Sequence, residues 1–350
     1  MILKFIRRKK KIKTADVVKA TGFSRAYINR FFKELGEEGK IELIGRANQA
    51  FYVLAEKNEV EKAKQKISGI HRLLKNEELS EDVVLAEIKK NTGIFLNIPD
   101  NVSKVLDYAF TEILNNAIEH SGSRQIEVLM KGDSVVRFDI TDRGVGIFLN
   151  IMKKRKLRSE LEAIQDLLKG KQTTAPKEHT GEGIFFTSKV ADMLIIQSSR
   201  KKLIFNNILG DIFIKDSKKE TKGTKVTFVI SLKSKINLNE VFKKYTSTAF
   251  DFVRTEVNVR LYKLDTDFIS RSQARRVISG LDKFKSIILD FKNVNTIGQA
   301  FADEIFRAWQ SHYPSIKITY KNANENIIFM LERALKFAEY AKVKPKRKDK

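Results

Sequence analysis

The sequence predicts a multi-domain α/β protein, and three features point there. Strand-like and helix-like stretches alternate over most of the chain. The 350 residues exceed what a single core usually organises, so two or three domains follow. Basic runs also mark off segments, with a basic excess in the first 55 residues, a strongly basic stretch at 153–158 and a basic tail from Lys342.

Composition narrows the classes. Hydrophobic content is 42%, ordinary for a globular chain, and the apolar runs are short and interrupted by charge, so no spanning helix and no membrane partner are expected. The opening Met1–Lys10 has too short an apolar stretch, and no cleavage site, for a signal peptide. Zero cysteines excludes disulfides, thiolate zinc and cysteine nucleophiles, and suits a cytoplasmic protein. A net charge of +24 points to polyanions, nucleic acid foremost, although charge alone also fits a ribosome- or membrane-associated protein.

The first 55 residues read as helix, helix, turn, helix and hairpin. Met1–Lys10 forms a first helix, Thr14 opens a second, and Ser24 caps a third over Arg25–Gly36. Ile28, Phe31, Phe32 and Leu35 are expected inward, with Arg25, Tyr27, Asn29, Arg30 and Lys33 on the other face. Two short strands, Ile41–Ile44 and Ala50–Leu54, flank Arg46. The segment resembles a winged helix-turn-helix domain. That resemblance implies a DNA partner met by Ser24, Arg25, Tyr27, Asn29 and Arg30 in the major groove, with Arg46 on the wing. A small protein-interaction domain of the same shape is the alternative. Residues 56–98 are expected to be a helical connector, with His71 on the surface because no phospho-acceptor box surrounds it.

The central segment carries the chemistry. Ile113, Leu114, Ala117 and Ile118 make an apolar helical stripe, and Glu112 and Asn116, four apart, share one face. A carboxylate one turn from a carboxamide can handle an oxygen-loving cation and a polarised water together. Val135–Ile140 alternates as a strand and delivers Asp142 into the turn Asp142-Arg143-Gly144-Val145-Gly146. A second glycine turn follows at Thr180-Gly181-Glu182-Gly183-Ile184, and Lys222-Gly223-Thr224 precedes a last strand. In this order and spacing the segments resemble the GHKL ATPase superfamily, a layered α/β sandwich, over residues 99–234.

The resemblance implies ATP and Mg²⁺. Asn116 would ligate the metal and Glu112 would activate water in members that hydrolyse ATP. His120 would lie near phosphate, Asp142 would accept from the adenine amino group, and Gly144 and Gly146 would let the purine lie close. Gly181, Gly183 and Thr224 would serve the phosphates. Many members carry another glycine where Phe185 stands here, which leaves fewer backbone donors. A basic lid is expected over about 147–180.

Residues 245–341 alternate again between strand and helix and resemble a STAS-like α/β domain, which implies a protein partner. The Thr296–Glu304 stretch has no Ser or Thr where anti-sigma antagonists carry their phosphorylated one, with Thr296 the nearest hydroxyl. Asp303 and Glu304 read as solvated or capping residues. Residues 342–350 read as a basic, disordered tail. The order of domains resembles a family of prokaryotic ATP-binding regulators. The expected function is thus a cytoplasmic DNA-binding regulator switched by Mg·ATP binding or hydrolysis. An anti-sigma-type Ser/Thr kinase and a nucleotide-stabilised adaptor remain as alternatives, and a homodimer remains open.

Overall fold

A computed structural model describes residues 1–45, 50–169, 183–245, 256–261, 268–279, 281–282 and 284–343. The chain divides into two units, Met1–Ile147 with Thr187–Leu238, and Phe148–Phe186 with Asn239–Lys350.

The first unit opens with helices α1 (Ile2–Lys9), α2 (Thr14–Thr21) and α3 (Arg25–Glu37). An antiparallel pair follows, β1 (Ile41–Ile44) and β2 (Phe51–Leu54). Gly22 ends α2 at a φ of 73° and Ser24 starts α3 by accepting from the Tyr27 N–H, so punctuation chemistry sets both boundaries. The helices close over Ile2, Ile6, Ile12, Val17, Ile28, Phe32 and Ile41. Phe31, expected inward, is exposed: the inward stripe needs only Ile28 and Phe32 here, and Phe31 rests its ring edge on Tyr27 instead. Arg46 lies outside the described residues.

Helix α4 (Lys57–Gln65) packs Val60 and Ala63 against Ile44, Phe51 and Val53. The connector is not helical throughout, which corrects the expectation for residues 56–98. Gly69–Lys75 is strand β3, and His71 sits in it, exposed, with Nε2 2.6 Å from Glu127. Its alternating burial is the strand period that a helical reading of a charged stretch overlooks. Strand β3 is the edge of a five-stranded antiparallel sheet ordered β3-β4-β5-β7-β6, with β4 Gln125–Gly132, β5 Val135–Asp142, β6 Met193–Asn206 and β7 Asp211–Ser231.

Helices α5 (Glu81–Asn91) and α6 (Asp100–His120) belong with this sheet. Eight residues of α6, from Val102 to Ala117, are buried at helical spacing. They meet the inward row of β5, where Phe110 lies 5.5 Å from Phe138 and Phe138 stacks on Phe228 at 5.0 Å. Because strand side chains alternate, the row Val136, Phe138, Ile140 continues to Asp142, which puts this carboxylate on the core face.

The second unit contains α7 (Ile147–Lys154) from Phe148 on, and α8 (Glu160–Leu168). Helix α9 (Gly183–Val190) crosses the division at Thr187, and α10 (Leu238–Tyr245) enters the unit at Asn239. Then come β8 (Glu256–Arg260), α11 (Arg271–Ile278), β9 (Ser286–Asp290) and α12 (Gln299–Asp303). The last helix passes into a π-helical stretch, Glu304–Trp309, and ends as α13 (Gln310–His312). β10 (Lys317–Lys321) and α14 (Glu325–Val343) complete the unit. The strands form a parallel sheet ordered β10-β9-β8. No described helix is long and apolar enough to cross a membrane. Gly181, the lid residues 170–180 and the tail residues 344–350 lie outside the described residues.

Candidate functional site

The loop after β5 is built on backbone contacts that only glycine permits. A Cβ at Gly144 would collide with the Ser121 carbonyl oxygen, at the end of α6. Gly146 has a φ of +87°, and a Cβ there would lie 2.5 Å from the Ser198 hydroxyl oxygen. The two glycines of the motif thus do different work, close approach at Gly144 and left-handed backbone at Gly146. Val145 N donates to the Ser121 carbonyl at 3.0 Å and Arg143 N donates to Ser123 Oγ at 3.1 Å, so the loop is pinned to the residues that follow α6.

Asp142 is 4% exposed. Its Oδ1 accepts from Gly144 N at 2.8 Å and from Thr224 N at 3.2 Å. Burial raises the Asp142 pKa above its ordinary value, and the backbone N–H groups of Gly144 and Thr224 pull against that shift. The Thr224 hydroxyl also bonds the Asp142 carboxylate, and its oxygen accepts from Ile147 N at 3.0 Å. Ser198 Oγ donates to the Gly223 carbonyl at 2.8 Å. The α6 end, the glycine loop and the Gly223-Thr224 turn therefore meet around one buried carboxylate. Sequence reasoning named Asp142, Gly144, Gly146 and Thr224. It missed Ser121, Ser123 and Ser198, whose only signal is a small polar side chain next to a turn or in a strand.

On α6, Glu112, Asn116 and His120 recur every four residues on one partly buried flank. Asn116 Nδ2 donates one proton to the Glu112 carbonyl at 2.7 Å, which fixes the amide on the helix and leaves Oδ1 as its acceptor. A carboxamide oxygen offered this way fits a hard cation such as Mg²⁺, which keeps several waters and takes its remaining ligands from phosphate. Among the described residues no group of three acidic or histidine side chains could hold a metal alone. His120 Nε2 lies 3.9 Å from Glu119 Oε2.

Gly183 opens α9, while Gly181 is outside the described residues. Phe185, where the resemblance leads one to expect glycine, is buried, its ring 5.3 Å from Phe186 and 5.1 Å from Tyr245; Phe186 in turn lies 4.7 Å from Phe242. The departure from glycine supplies an aromatic anchor onto α10.

The nucleic-acid candidates share the surface of α3, and several already have partners. Ser24 Oγ is the helix cap, Asn29 Oδ1 accepts from Thr14 Oγ1 at 3.1 Å, and Arg30 Nε lies 3.0 Å from Glu34 Oε1. Arg25 is exposed, and Tyr27 lies between the exposed rings of Phe23 and Phe31 at 5.1 and 4.9 Å.

In the second unit a cleft of about 360 Å³ is lined by Arg275, Ser279, Asp282, Glu304, Trp309 and His312, among others. Glu304, read from sequence as solvated, is buried and pairs with Arg275 at 2.6 Å, and Asp303 takes Arg307 through both carboxylate oxygens at 2.6 Å.

Searches of curated proteins and of solved structures found no match to the chain. Two family models do match parts of it. Residues 273–327 match a STAS-like domain of unknown function, and residues 101–234 match the histidine kinase-, DNA gyrase B- and HSP90-like ATPases. Asp142, Asn116, Gly144, Gly146 and Thr224 all fall within the second match, and the chain carries a GHKL-type ATPase domain followed by a STAS-like domain.

Proposed function

We propose that this chain is an ATP-binding regulator in which Mg·ATP occupancy sets the state of a DNA-binding N-terminal domain. The observation that carries the nucleotide half is the Asp142 carboxylate, buried and fixed by the Gly144 and Thr224 N–H groups, in a domain that also carries Asn116 on α6. A buried acceptor that cannot rotate selects a ligand bearing an amino group, because an analogue without one leaves the carboxylate unpaired. When bound, Mg²⁺ would bridge and partly neutralise the phosphates, held on the protein side by Asn116. Glu112, one turn away on the same flank, is assigned the role of general base for water. His120, Gly183 and Thr224 are assigned to the phosphates.

Binding and turnover of Mg·ATP test this directly. Asn116→Ala is expected to weaken Mg²⁺-dependent binding by at least about tenfold, one lost ligand being worth on the order of 1.4 kcal/mol or more. Glu112→Ala is expected to keep its affinity and lose turnover by about 10²–10⁴-fold. Binding that is indifferent to Asn116 would sink the site assignment. Turnover that survives Glu112→Ala would sink the general base.

The DNA half rests on the order of elements α1, α2, α3, β1, β2, which suits a winged helix-turn-helix, and on the basic excess of this segment. Arg25→Ala combined with Arg30→Ala is expected to weaken DNA binding and to lower the slope of its salt dependence by about 2. The exposed Phe23-Tyr27-Phe31 ridge favours a second reading, in which α3 grips a protein partner. DNA affinity unchanged in the double variant, measured across salt concentrations, would select that reading.

A further inference from the structure

Helices α7 and α8 follow the glycine turn at Gly146, and α9 begins at Gly183, yet Phe148–Phe186 groups with residues 239–350 and not with the nucleotide-domain sheet. The join is specific. Lys169, which follows α8, is only 4% exposed, and its Nζ donates to the carbonyl oxygens of Arg276 at 2.8 Å and Ser279 at 3.3 Å, and to Asp166 Oδ1 at 3.3 Å. Those carbonyls belong to the last turn and cap of α11, in the STAS-like domain, where a helix leaves acceptors without intrahelical partners and a cation is favoured. An ammonium has three protons to give, and here all three are given.

A second contact runs alongside. Glu162, buried on α8, lies 3.2 Å from Arg276 Nε, and its other oxygen accepts from Arg158 N at 3.0 Å. Ala163 and Ile164 of α8 are fully buried beside them. Burial lowers the Lys169 pKa and Asp166 opposes that shift. A cation is not desolvated to this degree on a helix that only drifts over solvent. The Phe185-Phe186-Phe242-Tyr245 cluster adds an apolar join between the start of α9 and α10 in the same unit.

We propose that the STAS-like domain acts in cis as the anchor of helices α7 and α8, the arm that leaves the first glycine turn, through Lys169 and Glu162 on the end of α11. This rests on the reading of the central domain as a nucleotide site. The helix pair is then a two-ended element, its start at Ile147 held at Thr224 and the end of α8 held at α11. Nucleotide and the STAS-like domain both bias it, so occupancy of one is felt by the other, equally in both directions. The cleft lined by Arg275 and Ser279 borders the same helix end, so a ligand there would act on the same coupling.

Hydrogen exchange on the full chain tests both steps. In nucleotide-free protein, Lys169→Met is expected to raise exchange at least tenfold in α8 and the last turn of α11, with α6 unchanged. Wild-type rates in both segments would overturn the anchor whether or not ATP binds. Mg·ATP is then expected to change α11 exchange at least threefold in the wild type and not in Lys169→Met, while protecting the Asp142–Gly146 loop in both. An α11 response equal in the two proteins, or absent from a wild type whose loop is protected, would overturn the coupling. No protection of the loop in either protein would instead overturn the nucleotide reading, and the coupling with it. Should Lys169→Met fold poorly, the swap Glu162→Arg with Arg276→Glu replaces it. Each single change is expected to loosen α8 and the swap to restore it, and failure of restoration counts against the anchor.

Discussion

Asp142→Asn is expected to lower affinity for Mg·ATP by two to three orders of magnitude while leaving the fold at least as stable. One carboxylate oxygen accepts from the Gly144 and Thr224 N–H groups, and in the variant that place falls to the single carbonyl oxygen of asparagine. The NH₂ group must then face the ligand, so the adenine amino group meets a donor where it needs an acceptor. A charge-assisted hydrogen bond is lost and two donors are left opposed, together about 3–4 kcal/mol. Stability moves the other way. Burial raises the Asp142 pKa, so the folded chain prefers the neutral acid. Its contribution to folding is present below the unfolded pKa and is lost as pH rises through the raised one. A neutral amide removes that cost. Ligand affinity has the opposite slope: it falls on acidification, beginning above the ordinary carboxylate range, because the proton removes the acceptor. Calorimetric titration of nucleotide across pH, beside thermal melts of both proteins, separates the two effects. A variant that binds as tightly as wild type would remove Asp142 from base recognition, and one that melts well below it would show a structural role instead.

Much of this site was legible in the sequence because its parts are local. Helical spacing alone puts Glu112, Asn116 and His120 on one flank, and strand alternation alone puts Asp142 on the core face. The glycines announce a turn without saying which partner makes a side chain impossible. That depends on Ser121 and Ser198, which the fold brings there from other elements. Strand β3 was lost for a similar reason. Its seven residues mix Arg72 and Lys75 with Ile70, Leu73 and Leu74, none is fully buried at the sheet edge, and the pairing of Gly69–Lys75 with Gln125–Lys131 is non-local. The ends of α3 were readable from Ser24, yet Phe31 was not. An aromatic ring sits next to the inward stripe, and only the packed neighbours decide whether it is covered. The anchor of α8 on α11 joins residues more than a hundred positions apart, and no periodicity in either helix contains it.

Gly144→Ala is the second large effect, and a comparison within the same chain isolates its cause. The added methyl would meet the Ser121 carbonyl oxygen, which is backbone and is itself held by the Val145 N–H. Neither partner can rotate away as a side-chain end would, so the loop or the end of α6 must shift. Forced overpacking of this kind costs about 3 kcal/mol, a fall of about 6–12 °C in the melting temperature of a unit this size. Because the same shift carries Asp142 with it, nucleotide affinity is expected to fall in parallel. Gly36→Ala is the control. Gly36 lies inside α3 with ordinary helical backbone, and a methyl added there would find nothing within 4 Å. The same substitution is therefore expected to stabilise by about 0.5–1 kcal/mol. Gly146→Ala separates the two causes further, since its nearest contact is the Ser198 side chain, with the Gly223 carbonyl oxygen farther off at 3.0 Å, and its φ of +87° is one that alanine resists. Its stability loss should fall between the other two. If Gly144→Ala melted and bound nucleotide like the wild type, the close approach of the loop to α6 would not be what holds Asp142 in place, and the geometry assigned to the site would have to be abandoned.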